Sequence, residues 1–361
     1  MMLDESLEIG HSGAKITFSI KMRETGQKSY QDGWCYKARF VNYESFLRKV
    51  ETEMIKLLFR PILLLIVLLL CVSCANKLPQ TSYGIEKTTD GNGSPIHYLE
   101  VGHGPPVILI PGLFSIHSVW NRMIPLMKDK YRLLAIDNFG TGESGRPEGG
   151  FSYSVAEQAD LIVAMMDELN ITSCNLVGAS YGGMIALNIA ARYPDRVINV
   201  ICIEGAVIMP KNAPYRRLIQ GLKYPVLGDV IIGFIQSGLF DKTMAKDVMG
   251  PSWPDLSVSE KAEITDIISK NAKASSRRTW LSLAQALNDA ADFSEEAKSI
   301  KAPVLYLSGD QSEFLEMTEM NIAYFKDNLP NVQLVSFTDG VHDLELQKPK
   351  EVAAMIIDFI D

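Results

Sequence analysis

From residue 83 onward the apolar positions fall into two kinds of run. "PPVILIP" at 105–111, "YRLLAID" at 131–137, "CNLVGAS" at 174–180, "VINVICIE" at 197–204, "APVLYLS" at 302–308 and "VQLVSF" at 332–337 are short and nearly unbroken. Successive side chains of a strand point to opposite faces, so an unbroken apolar run predicts a strand buried on both. Between these runs lie 117–128, 154–169, 181–193, 315–328 and 349–360, which read as helices with one apolar face. Ahead of them, "GIEKTT" and "PIHYLEV" flank Asp90-Gly91-Asn92-Gly93, a hairpin signal. This alternation predicts an α/β fold with a mostly parallel sheet flanked by helices on both faces. Residues 207–295 break the rhythm. They hold helix-forming stretches and apolar patches such as "VIIGFIQSGLF", without a buried-strand pattern. They read as a helical cap inserted after the sixth strand, which leaves 75–206 and 296–361 as the core.

Composition adds bounds. The chain has 361 residues, 47% hydrophobic and 22% charged, enough apolar surface for a large core. Its net charge is −8, with no Lys/Arg-rich block and no aromatic-and-basic stripe, so no nucleic-acid partner is expected. The N-terminus carries a separate signal. From Met54, Lys56 and Arg60 precede an apolar block, Pro61 to Val72, then Val72-Ser73-Cys74. The block has the length of a signal-peptide core and is short for a membrane span. The stretch resembles the lipobox of bacterial lipoproteins, although Cys71 stands where Leu is usual. The resemblance implies a signal peptide over 54–74, a lipid anchor at Cys74, and a bacterial cell envelope location on a membrane. An uncleaved signal anchor and plain secretion are the alternatives. Signal peptides are N-terminal, so Met54 reads as the true start and 1–53 as an untranslated leader. Cys35, Cys71 and Cys74 lie in these segments; Cys174 and Cys202 fall on core strands and read as buried thiols. No Cys or His spacing suggests a metal, and no cofactor is expected.

The chemistry concentrates at "LVGASYGGM". Gly178-Ala179-Ser180-Tyr181-Gly182 is a G-x-S-x-G between an apolar strand and a helix, the setting of a nucleophile elbow. A Ser at so tight a turn needs small neighbours, and the Tyr181 N–H at the helix start can donate to a developing oxyanion. Here the chain resembles the α/β-hydrolase superfamily over about 83–361. "LIPGLFSIHSVW" is similar to the family's loop after strand three, with Pro111 in place of the usual His and Gly112 kept. The resemblance makes the N–H of Leu113 the second oxyanion donor. "DNFGTGESGRP", from Asp137, matches the family's D-x-x-G-x-G-x-S turn, with a structural role. "DGVHDLELQKP" supplies His342 after the last strand, where the family keeps its catalytic His. His11 lies in the leader. His97 and His103 read as structural or exposed, and His117 as a surface or cap contact.

The acid has three candidates. The family's usual seat after strand seven, in "YLSGDQSEF", holds Ser312, flanked by Asp310 and Glu313. Glu204 closes strand six, 24 residues past Ser180, and a branch of the haloalkane dehalogenases seats its acid there. A carboxylate at that place could orient His342 and offset its own desolvation, so Glu204 is preferred, with Asp310 and Glu313 open. The dehalogenase likeness ends there, because those enzymes use a carboxylate nucleophile. The expected activity is a serine hydrolase acting on small-molecule carboxylic esters through an acyl-enzyme. A C–C bond hydrolase of the same fold and a non-catalytic binding lipoprotein are the alternatives.

Overall fold

The computed structural model describes residues 83–146, 151–209, 216–289 and 292–361, with the backbone of 6–11 and 14–19. The chain divides into two units, Met1–Val67 and Leu68–Asp361. In the first, Ser6–His11 pairs antiparallel with Ala14–Ser19, a hairpin where the residue pattern suggested no element. The apolar block Pro61–Val72 and Cys74 lie outside the described residues. Among the described residues no helix is long and apolar enough to cross a membrane.

The second unit is built on one sheet of eight strands. In chain order these are β1 (Ile85–Asp90), β2 (Pro95–Val101), β3 (Pro106–Ile110) and β4 (Arg132–Ile136). They continue with β5 (Cys174–Ala179), β6 (Val197–Ile203), β7 (Val304–Gly309) and β8 (Val332–Phe337). The spatial order is β1-β2-β4-β3-β5-β6-β7-β8. Strands β3 to β8 run parallel, and β1 and β2 close one edge antiparallel. The hairpin between β1 and β2 is pinned by Asp90, whose Oδ1 accepts the Gly93 N–H at 2.9 Å. The unbroken apolar runs are explained by a core on each face. Ile108 and Ile110 pack with Met165, Met166 and Ile185 on one side; Val107 and Leu109 pack with Trp120, Met123 and Ile356 on the other.

Helix α1 (Ile124–Met127) is short. The expected helix over 117–128 is broken into a 3-10 turn, His117–Trp120, and α1. Pro125 in the first turn of α1 has no N–H to donate backward, so a continuous helix cannot pass through it. Helix α2 (Val155–Glu168) starts where Ser154 Oγ accepts the Glu157 N–H at 3.2 Å. Helix α3 (Tyr181–Arg192) follows β5 directly. Between β6 and β7 the described residues form helices α4 (Arg216–Lys223), α5 (Pro225–Gln236), α6 (Asp241–Met249), α7 (Val258–Lys273), α8 (Arg277–Asp289) and α9 (Ser294–Ala297). Helix α10 (Leu315–Asn328) joins β7 to β8, and α11 (Leu344–Gln347) and α12 (Pro349–Ile360) end the chain.

Candidate active site

Ser180 stands between the last residue of β5 and the first of α3, at φ +51° and ψ −115°. That backbone is strained for a residue with a Cβ, at about 1–3 kcal/mol, and the surroundings must hold it. The Ser180 N–H donates to Ile203 O on β6 at 2.7 Å, which continues the ladder one residue past the strand. Two glycines make the turn possible. A Cβ on Gly178 would lie 2.2 Å from Gly182 O, and one on Gly182 would lie 2.1 Å from Ile110 O. Tyr181 opens α3, so its N–H has no acceptor within the helix, while its buried hydroxyl donates to Tyr153 O at 2.7 Å. The loop after β3 passes close by: a Cβ at Gly112 would be 3.6 Å from Ser180 Cβ. Leu113 follows, half-buried, and Phe114, at φ +62°, stacks on Trp280 with ring centroids 3.9 Å apart.

Glu204 repeats this geometry one strand over. It sits just past β6 at φ +52°, and its N–H donates to Leu307 O at 2.9 Å. Its side chain is 0% exposed, so the carboxylate needs donors. It has four. Oε1 accepts the Gly309 N–H at 2.6 Å; Oε2 accepts Ser312 Oγ at 2.9 Å, Thr318 Oγ1 at 3.0 Å and His342 Nδ1 at 3.4 Å. Ser312, in the family's usual acid seat, thus donates to the Glu204 carboxylate. Asp310 and Glu313 are exposed, and neither bonds to His342. The His342 loop is braced by Gln347, whose Oε1 accepts the Val341 N–H at 2.8 Å and whose Nε2 donates to Asp339 O at 2.8 Å. Phe314 meets the imidazole edge-on at 4.5 Å. Burial pushes the imidazole toward neutrality, but the hydrogen bond to Glu204 and the charges of Asp343 and Glu204 outweigh it, raising its pKa to about 9.

Ser180, Glu204 and His342 line one cavity of about 410 Å³, counted out to open solvent. The other walls are mostly apolar, with Met184, Met209 and Met317 beside Leu287 and Phe314. Met side chains adapt to irregular apolar shapes. Among the described residues no hydrogen bond joins Ser180 to His342; in ligand-free enzymes such bonds are often long and close only around substrate.

The sequence model of the family described as "alpha/beta hydrolase fold" matches residues 105–226. A cis-3-alkyl-4-alkyloxetan-2-one decarboxylase of Shewanella oneidensis is 30% identical over 144 residues, 39% of this chain and 45% of that protein. Haloalkane dehalogenase 2 of Mycobacterium tuberculosis is 33% identical over 112 residues, 31% of this chain and 39% of that protein. The chain therefore spans less than half the length of these curated relatives. In fold it is similar to the enol-lactonase of Burkholderia xenovorans LB400, with a TM-score of 0.61 at 21% identity over 76% of this chain and 99% of that one. The chain has the α/β-hydrolase fold, and its sequence matches that family over residues 105–226. The matched residues run from β3 through the elbow into the first residues of α5.

A second buried acid, Asp137, opens the D-x-x-G-x-G-x-S turn, and its two imidazole partners show only in the structure. Asp137, at the end of β4, accepts His97 Nδ1 at 2.9 Å on Oδ2 and His117 Nδ1 at 2.8 Å on Oδ1. The His117 and Glu143 main-chain N–H groups donate to the same two oxygens at 2.9 and 3.1 Å. His117, read from the sequence as a surface or cap contact, is partly buried and tied to Asp137. Burial opposes the Asp137 charge, yet the bonds from His117 and His97 hold its carboxyl well below the usual range. The Asp137 bond raises the His97 pKa. These three groups have ligand atoms within 4.8 Å of one another, a reach that could in principle surround a cation. Each carboxylate oxygen already accepts two N–H donors, so the cluster reads as a closed structural knot. The only trace of it in the sequence was the D-x-x-G-x-G-x-S turn. His103 is exposed, and Cys174 and Cys202 are buried free thiols.

Proposed function

We propose that this α/β-hydrolase is a serine hydrolase that cleaves small-molecule carboxylic esters through an acyl-enzyme. Ser180 Oγ attacks the acyl carbon while His342 takes its proton. The N–H groups of Leu113 and Tyr181 receive the oxyanion. His342 returns the proton to the departing alkoxide oxygen, which leaves as the alcohol. Water, deprotonated by His342, then attacks the acyl-enzyme, and the acid departs as Ser180 regains its proton. Glu204 orients the ring and stabilises the imidazolium. One observation carries the reading: a buried carboxylate–imidazole pair opens on the same cavity as a serine at a strained elbow.

A hydroxyl nucleophile favours acyl transfer over dehalogenation, which needs a carboxylate at that place. The Shewanella relative is named for an oxetan-2-one, a cyclic ester, so the substrate panel includes a small lactone. The test combines a fluorophosphonate label with rates on p-nitrophenyl esters of graded chain length. Labelling at Ser180 and turnover, both absent in Ser180→Ala, are expected. Absence of labelling in the folded wild type rejects the reading and favours the non-catalytic binder. Turnover of a β-diketone with none of any ester favours the C–C hydrolase. We also propose that the protein is a lipoprotein anchored at Cys74. Palmitate incorporation lost in Cys74→Ala is expected, and unmodified soluble protein counts against it.

A further inference from the structure

Seven of the fourteen large apolar side chains that stand exposed among the described residues lie between Tyr224 and Phe240. Helix α5 carries most of them. Val226, Leu227, Val230 and Phe234 are 80, 50, 49 and 50% exposed and recur along one face. The opposite face is apolar too, with Ile232 packed beside Leu222 and Trp280. A helix apolar all round belongs in a core or against a nonpolar phase, and a continuous exposed patch of this kind marks a contact surface. A few residues beyond the helix in sequence, Leu239 and Phe240 are also exposed, at 60 and 45%.

Charge indicates what covers it. The only charged residue within α5, Asp229, is neutralised by Arg277, whose Nε donates to its Oδ1 at 2.6 Å. Exposed Lys223 precedes the helix and exposed Lys242 follows the patch, while Asp241 between them is buried. Apolar side chains rimmed by lysines are the signature of a segment that lies in a membrane interface, its cations toward anionic headgroups. The N-terminal side of the unit lies beside these helices. Tyr83, the first residue described there, bonds through its hydroxyl to Glu263 on α7 at 2.8 Å, and α7 packs against α5.

We propose that the outward face of α5, with Leu239 and Phe240, docks on an anionic lipid bilayer. Its inner face bears on the candidate active site. Ile232 packs with Trp280, Trp280 stacks on Phe114 beside Leu113, and α8, which carries Trp280, also supplies Leu287 to the cavity. A bilayer seated on α5 would thus lie next to the helices that wall the cavity, and apolar esters could pass from lipid to Ser180 without crossing water. That last step rests on the ester-hydrolase reading; the docking does not.

The test uses the full chain with vesicles of phosphatidylcholine and phosphatidylglycerol in equal parts, prepared with and without dibrominated acyl chains. In Phe234→Trp the emission should shift to the blue and lose about half its intensity to the brominated lipid, as an interfacial depth requires. The parent protein, whose described tryptophans are buried or packed inside, should change little. In the double variant Leu227→Asp, Phe234→Asp, hydrolysis of a vesicle-borne long-chain ester should fall about tenfold or more, with the rate on a soluble acetate within about twofold. Vesicle binding without quenching at position 234 overturns the proposal, because another segment then holds the protein. A blue-shifted, lipid-insensitive indole also overturns it, because the chain's own residues then cover the face. A lipid-insensitive dimer that the aspartates dissociate assigns the face to a second copy, which equally overturns it. Quenching without any ester turnover leaves the docking standing and removes the ester reading alone.

Discussion

Two buried carboxylates of this protein hold imidazoles, and their differences are instructive. Asp137 and Glu204 both follow a strand of the same sheet, both are essentially inaccessible, and both accept an Nδ1–H. Asp137 is closed on itself: two rings and two main-chain N–H groups occupy its oxygens, and none of these residues lines the cavity of Ser180. Glu204 is held by a main-chain N–H and two hydroxyls, and the one ring it holds faces the nucleophile's cavity. Pairing of acid and imidazole is therefore a stability device in one place and a candidate catalytic device in the other. What separates them is whether the far side of the ring meets a reacting group.

The sharpest way to break that contrast is to remove each member in turn. Ser180→Ala should abolish ester turnover, with a loss on the order of 10⁶-fold in kcat and little change in Tm. Glu204→Gln should cut kcat by up to about 10⁴-fold, since the amide can neither accept the same charge nor stabilise the imidazolium. If Asp310→Asn instead gives the large loss, the acid has been misassigned. Asp137→Asn should do the reverse. It leaves two buried rings without their charge partner, costs about 3 kcal/mol in denaturant unfolding, and leaves kcat per folded molecule within severalfold. An Asp137→Asn protein of normal Tm and lost activity would erase the distinction.

The pH response should sharpen it further. His342 must be neutral to take a proton, and its pKa stands at about 9. Below that value kcat/KM should rise about tenfold per pH unit and level off near 9. Stability should run the other way. A pKa raised above the ordinary 6.5 means that the fold favours the charged ring, so this contribution is full below 6.5 and fades as pH rises through about 9. Glu345, pushed up to about 8 by burial and by the charge of Asp343, loses stability in the same direction. Melting curves from pH 6 to 10 should fall in the wild type and flatten in Glu345→Gln and in Glu204→Gln. In the latter the acidic limb of residual activity should also move to lower pH, because the ring has lost its anion.

The smallest effect is expected at the hydroxyls. Ser312→Ala and Thr318→Val each remove one donor from Glu204 Oε2, which strengthens its hold on His342 and shifts the activity limb up by a few tenths of a pH unit. The rate at the plateau should change by about threefold or less, since a single net hydrogen bond contributes about 1 kcal/mol.

Much of this architecture could be read in advance for identifiable reasons. Strands β3 to β7 are buried on both faces, which forces apolar residues at nearly every position. Helices α10 and α12 cover one face each and match 315–328 and 349–360 residue for residue. The elbow was legible because no residue but glycine fits at 178 and 182, so a local steric demand is written directly into the residue types. The break at Pro125 is equally local, but apolar spacing does not record it because proline acts through its missing N–H.

The sequence by itself determined the α/β alternation, the elbow at Ser180 and the candidacy of His342, because each is imposed by neighbours within a few residues. Only the tertiary structure decided which groups surround the two buried carboxylates. Glu204 draws its donors from residues 105, 108, 114 and 138 positions away, and Asp137 gathers His97 and His117 from 40 and 20 away. A buried charge is settled by whichever donors the packed sheet brings within about 3 Å, and no local pattern of apolar and polar residues records that choice.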